Sequence, residues 1–169
     1  LIVCVDVDYR ADAVVAAAIA IPTWDTAAPA VLRVVRTPGA APAYESGSFW
    51  KRELPYSLAA LAAVEAAGVA LDVVVVDGYV WLGPGAPGLG ARLRAALAGN
   101  PAVVGVAKTP FRTAASVARE VLRGASTTPL FVTSDGIEPA RAAAHVKAMH
   151  GAHRVPTILR AVDRACRDG

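Results

Sequence analysis

The polar interruptions in the opening segment LIVCVDVDYR (1–10) fall on one side of an otherwise apolar strand. Leu1, Val3, Val5 and Val7 share one face, and Ile2, Cys4, Asp6 and Asp8 share the other. A strand apolar on both sides belongs in the middle of an α/β sheet, yet this one carries two carboxylates where it ends. VVAAAIAIP (14–22) and AVLRVVR (30–36) predict two more strands, with Pro22 and Asp25 marking the turn between them. TPGAAPAYESGS (37–48) predicts a loop. ELPYSLAALAAVEAAG (53–68) has helical periodicity and a C-capping glycine, Gly68. LDVVVVD (71–77) is a fully apolar strand that stops on Asp77. Beyond a Gly/Pro-rich loop come a helix (GARLRAALAG, 90–99), a strand (AVVGVAK, 102–108), a short strand near VAREVLR (117–123) and another in PLFVTS (129–134). Two helices finish the chain, over 138–150 and roughly 157–167.

Three early strands followed by alternating helices and strands predict an α/β protein, a mixed sheet with helices on both faces. This order matches a ribonuclease H-like layout, though other α/β folds share it. With 169 residues, 55% of them hydrophobic, and no repeat or linker, one domain over 1–169 is expected. The longest apolar runs are broken well short of the ~18 residues a membrane span requires, so no membrane partner is expected. No signal-peptide pattern opens the chain, which points to the cytoplasm. Because the chain starts inside a strand without Met, a preceding segment is expected. Cys4 and Cys166 lack CxxC spacing, and Cys4 reads as a small core residue.

The net charge of +3 is a weak sign by itself. If four of the 14 acidic residues gather around a cation, however, 17 basic groups face ten acidic ones on the remaining surface. That balance suits a polyanion.

Asp6 and Asp77 pose the same question, because each ends an apolar strand. Ligands of parallel sheets sit at the carboxyl ends of strands, and two such aspartates in one cleft would offer the hard oxygens that Mg²⁺ needs for phosphodiester hydrolysis. The alternative is that each starts a turn through its own side chain. Two other patterns carry no chemistry. GPGAPG (83–88) fits a dinucleotide-binding spacing but sits six residues past Asp77, contains two prolines and lacks the downstream acid, so a loop is expected. His145, His150 and His153 have no accompanying Cys or HExxH and read as surface histidines.

CVDVDY, FWKRELP, VVVDG, GVAK and PLFVTS resemble, in order and spacing, the successive motifs of the endonuclease V family. HRVPTILRAVD (153–163) resembles its terminal motif, in which Arg and Pro lead a helix carrying a polar residue on the metal side. The resemblance implies a ribonuclease H-like nuclease that uses Mg²⁺ or Mn²⁺. It would cut DNA or RNA at the second phosphodiester 3′ to inosine, in DNA repair or inosine-RNA processing. By the same resemblance, Asp6 and Asp77 are the central metal ligands, and Glu53 is the third carboxylate. Read by itself, Glu53 could instead be a capping acid in a first helical turn. Asp163 would complete the site, or be a solvated helical acid. Lys108 would stand at the scissile phosphate, where a cation stabilises developing charge; a surface lysine ending a strand is the alternative. Tyr44 falls where the family carries a strand-separating wedge, without its flanking prolines, or is simply a packed loop tyrosine. Lys51 and Arg52 are candidate phosphate contacts.

The chain also departs from the family pattern. DGYVWLGPGAPGLG (77–90) lacks the family's usual Gly and His residues after the strand-end Asp-Gly. The floor of the base pocket, backbone from Gly78 onward, would then carry the isopropyl group of Val80 and be stiffened by Pro84 and Pro87, which predicts weaker discrimination of inosine. Asp8 stands where the family prefers a small residue and could be an outer acid. The expectation is a monomeric, Mg²⁺- or Mn²⁺-dependent endonuclease. The rivals are a catalytically weakened nucleic-acid-binding module of the same fold and a nuclease of other specificity, such as for flapped DNA. Retention of all four acids favours an enzyme, since a pure binder has no use for carboxylates that repel one another.

Overall fold

The computed structural model describes residues 1–40 and 49–169, so Tyr44 lies outside the described residues. The strands of the main sheet are β1 (Ile2–Tyr9), β2 (Ala13–Ile21), β3 (Val31–Pro38), β4 (Val73–Asp77), β7 (Ala102–Ala107), β8 (Arg119–Val121) and β9 (Leu130–Asp135). A separate hairpin is made by β5 (Trp81–Gly83) and β6 (Ala86–Pro87), and the helices are α1 (Phe49–Glu65), α2 (Leu89–Ala96), α3 (Pro139–Ala148) and α4 (Thr157–Asp168). The seven strands run in the order β3-β2-β1-β4-β7-β9-β8. Parallel pairing joins β1 to β4 and β4 to β7; the other neighbours are antiparallel.

Alternation along the central strands divides the interior into two cores. Ile2, Cys4, Val75 and Val104 face α3 and α4, where they meet Ala142, Val146, Ile158 and Val162. Val3, Val5, Val74 and Val103 face α1 and α2, where they meet Leu61, Val64 and Leu93. All of β2 is buried, and its Ala16, Ala18 and Ala20 lie beneath Ala60 and Leu61 of α1. Small side chains on both surfaces let helix and sheet approach closely. The expected mixed sheet with helices on both faces is therefore the observed one. Among the described residues, no helix is long and apolar enough to cross a membrane.

Local differences from the expected elements have physical causes. α1 begins at Phe49, a turn before the expected start, and carries Pro55 inside it. A proline there lacks the N–H and so removes one backbone hydrogen bond to the preceding turn, while the helix runs through it. Glu53 is consequently a buried second-turn residue, not a capping acid in the first turn. GPGAPG, expected as a loop, forms the end of the β5–β6 hairpin, turning where Gly85 takes φ +68°. It is tied to the preceding segment by Gly88 N–H donating to the Val80 carbonyl at 2.8 Å.

Candidate active site

Val5 pairs with Val76 across β1 and β4, so the next residues along these parallel strands, Asp6 and Asp77, come side by side. Both continue the face that carries Cys4 and Val75, toward α4. α4 contributes Asp163, and Glu53 arrives from α1 on the opposite side. Lys108 follows directly on the end of β7. All five, with Gly78, line one cleft of about 660 Å³. The sheet positions the acids, and the helices close over them from both faces.

Glu53 leads the buried stripe of α1, with Ser57, Ala60, Leu61 and Val64 behind it. The residue is only 7% exposed. Burial pushes its carboxyl up to about 8; the Tyr9 hydroxyl is the largest influence opposing this, and the charges of Asp6 and Asp77 each add a smaller raise. The Tyr9 hydroxyl stands beside Glu53 but, among the described residues, has no partner in ordinary hydrogen-bonding geometry. Asp6 is raised to about 6, by burial and then by Asp77, although its Oδ1 accepts the Val7 N–H at 2.9 Å. The two acids are thus short of positive charge.

The available cations are committed elsewhere in the cleft. Lys108 Nζ donates to Asp77 Oδ2 at 2.5 Å. Burial disfavours the ammonium, but that bond and the charges of Asp77, Asp6 and Asp163 outweigh it and raise Lys108 above its usual range. Arg167 donates to Asp163 at 3.0 Å, one turn along α4. Asp8 is paired with Arg10 at 3.1 Å. Among the described residues, no group of three or more His, Cys, Asp or Glu side chains is close enough to hold a metal ion. The donor chemistry nevertheless fits a hard divalent cation: four carboxylates in one cleft, two of them lacking countercharge.

Three arginines were not singled out in the sequence, although each has a local signal. Arg10 donates to the carbonyls of Cys166, Arg167 and Gly169 at 2.7–2.8 Å, capping α4 and fixing its end against β1. Its pairing with Asp8, two residues back on the same side of the strand, is legible from alternation alone. Arg167 stands four residues after Asp163, the helical spacing for an ion pair. Arg154, inside the terminal motif, donates to the carbonyls of Lys108 and Pro129 and so anchors the backbone that presents Lys108. Aromatic residues also edge the cleft. Phe49 and Phe111 are 43% and 46% exposed, and the Trp50 ring lies 4.0 Å beneath the Arg92 guanidinium. Arg52 stacks in the same way on Tyr9, at 4.3 Å.

The expectation for Val80 is overturned. Val80 is fully buried beneath α2, and its N–H donates to Thr133 Oγ1 at 2.8 Å. The cleft is lined at this point by Gly78, Tyr79, Gly88 and Leu89, without Val80, Pro84 or Pro87. Gly105 makes this possible, because a Cβ there would stand 2.5 Å from the Gly78 carbonyl. The histidines have ordinary partners: His145 stacks on Trp24 at 4.9 Å, and His150 meets Thr157 Oγ1 at 3.0 Å.

The sequence matches the endonuclease V family over residues 1–123. The chain belongs to that family. This makes it a member of a nuclease family, with Asp6, Glu53, Asp77 and Lys108 inside the matched region and Asp163 beyond it. No match is found among curated proteins. Among solved structures, endonuclease V from Streptomyces avermitilis is similar at 27% identity and a TM-score of 0.70, covering 99% of this chain and 79% of that one. Endonuclease V from Ciona intestinalis, in complex with a 24mer DNA containing an inosine followed by a ribo-adenosine, is 17% identical with a TM-score of 0.82, covering 99% and 84%. Human endonuclease V is 20% identical with a TM-score of 0.73, covering 99% and 82%. These likenesses establish the ribonuclease H-like fold.

Proposed function

We infer that the protein is a divalent-metal-dependent endonuclease that cuts DNA or RNA at the second phosphodiester 3′ to inosine. The observation that carries this is the convergence of Asp6, Glu53, Asp77, Asp163 and Lys108 on one cleft, where β4 and β7 end beside the middle of β1. Clustered carboxylates, Glu53 among them buried, are costly without a cation, and a nuclease has a use for one.

Asp6, Asp77, Glu53 and Asp163 would hold Mg²⁺ or Mn²⁺, which when bound supplies Lewis acidity and a readily deprotonated water. The remaining steps belong to the chain's own groups. Lys108 holds a phosphate oxygen once its ammonium leaves Asp77, placing positive charge where the transition state gathers negative charge. Without the cation Glu53 and Asp6 hold protons more tightly than ordinary carboxyls, so loading the site would displace protons from them. Gly78 and Tyr79 offer backbone and ring to a base that has left its stack. Since Val80 lies in the core, it gives no reason for a weakened preference for inosine.

Matched strands containing inosine or adenosine, as DNA and as RNA, test the reading under single-turnover conditions with Mg²⁺ or Mn²⁺. Faster cutting of the inosine strand, mapped to the second bond 3′ to it, is the expected result. Equal rates would remove the base preference, and absence of cutting with either metal would remove the nuclease. Binding should also weaken with salt, with log affinity falling by about 0.7 per phosphate contact per log unit on a single strand. A flat response argues against phosphate contacts by Lys108, Lys51 and Arg52.

A further inference from the structure

α4 has two sides that face open space. Asp163, Cys166 and Arg167 look into the cleft, whereas Arg160, Ala161 and Arg164 line a second groove of about 600 Å³ beyond the helix. The far wall is β3, the outermost strand of the sheet. Leu32 and Val34 oppose Ile19 and Ala17 in register, so they lie on the α4 face, yet they remain 42% and 41% exposed. Edge strands are normally blunted by charge or covered; Arg33 and Arg36 charge this one, yet among the described residues Leu32 and Val34 stay uncovered.

The charge of the groove selects its occupant. Arg160 and Arg164 are exposed and stand one helical turn apart, about 5–6 Å between their Cβ atoms. Among the described residues neither side chain has a hydrogen bond or ion pair, while nearby Arg10, Arg36 and Arg167 are all paired with aspartates. Asp168 is the one acid in the lining. Two free guanidinium groups above an apolar floor match a chain of phosphates with sugars and bases beneath. The groove lies across α4 from the cleft, with one helix about 10 Å across between them.

We propose that this groove binds the flank of the substrate strand after it leaves the cleft and crosses α4. Arg160 and Arg164 hold successive phosphates, and Leu32 and Val34 support the sugars and bases without reading sequence. The proposal rests on the nuclease reading of the cleft. It makes the groove a determinant of affinity for long strands and leaves the chemistry to the cleft.

The test compares wild type, the Arg160→Ala/Arg164→Ala double variant and Leu32→Glu. Fluorescence anisotropy without divalent metal measures binding of a long inosine strand and of a short one confined to the cleft. The double variant is expected to bind the long strand about tenfold more weakly, with a salt slope reduced by about 1.4 for two lost contacts. Its affinity for the short strand should match wild type. Leu32→Glu, which sets a negative charge beneath the phosphates, should show the same selective loss. The defect should appear in KM for long substrates, with the saturated rate retained. Equal binding of the long strand by all three proteins, with unchanged melting temperatures, would overturn the groove while leaving the nuclease in place. Failure of wild type to bind any strand would overturn both. A concentration-dependent dimer dispersed by Leu32→Glu would assign the groove to a second copy and likewise overturn the proposal.

Discussion

Asp6→Asn is expected to reduce single-turnover cleavage by at least ~10³-fold, roughly 4 kcal/mol of barrier, while leaving fold and nucleic-acid binding intact. Asparagine keeps the shape of the side chain and an oxygen that can accept the Val7 N–H. What it loses is the charge that a divalent cation requires. The same change removes repulsion with Asp77 and Asp163, so the melting temperature should hold or rise. Binding of a labelled strand without metal should hold or tighten, because one negative charge has left a cleft built for a polyanion. This combination separates a lost ligand from a damaged fold. Cleavage retained to within about tenfold of wild type would exclude Asp6 from the metal site.

The strand ends were legible because alternation makes a carboxylate conspicuous where apolar residues stop. Asp77 stands out in this way at the end of β4. Asp6 stands out too, but β1 does not stop there as expected and runs on to Tyr9, paired with β2. The adjacency of the two acids follows once β1 and β4 are parallel neighbours. Glu53 was legible in part. It sits four, seven and eleven residues before Ser57, Ala60 and Val64, a helical stripe that implies an inward-facing acid. Pro55 obscured the reading, because proline ordinarily marks a helix start and here lies inside one. The direction of Val80 was not legible at all. The chain leaves β4 at Gly78 with φ +130°, so the alternation of that strand says nothing about residues beyond it. The Lys108–Asp77 pair was hidden for another reason. It depends on β7 lying beside β4, a contact between segments 31 residues apart that only the sheet order reveals.

In protein freed of divalent metal, stability should fall as pH rises from about 4.5 to about 8, and Glu53→Gln should abolish most of that fall. The sign follows from proton binding in the two states. Unfolded, Glu53 ionises near its ordinary value of 4.5; folded, burial and the charges of Asp6 and Asp77 raise it to about 8. Between those values the folded state holds the extra proton, so raising the pH favours unfolding, and above about 8 the penalty is complete. Asp6 adds a smaller penalty in the same direction, developing between 3.8 and about 6. Glutamine keeps the volume and cannot ionise. At pH 8.5 the variant should therefore melt above wild type by at least ~4 °C, given roughly 2–4 °C per kcal/mol for a chain of this size. At pH 4.5, where the wild-type carboxyl is protonated in the fold, the two should melt nearly together. Added Mn²⁺ at pH 8.5 should raise the melting temperature of wild type much more than that of the variant, because the cation meets the charge that burial penalises. Thermal melts across this pH range, with chelator and with Mn²⁺, decide the matter. A wild-type profile flat from pH 4.5 to 8.5, or a Glu53→Gln protein less stable than wild type at pH 8.5, would show that Glu53 is not an uncompensated buried acid.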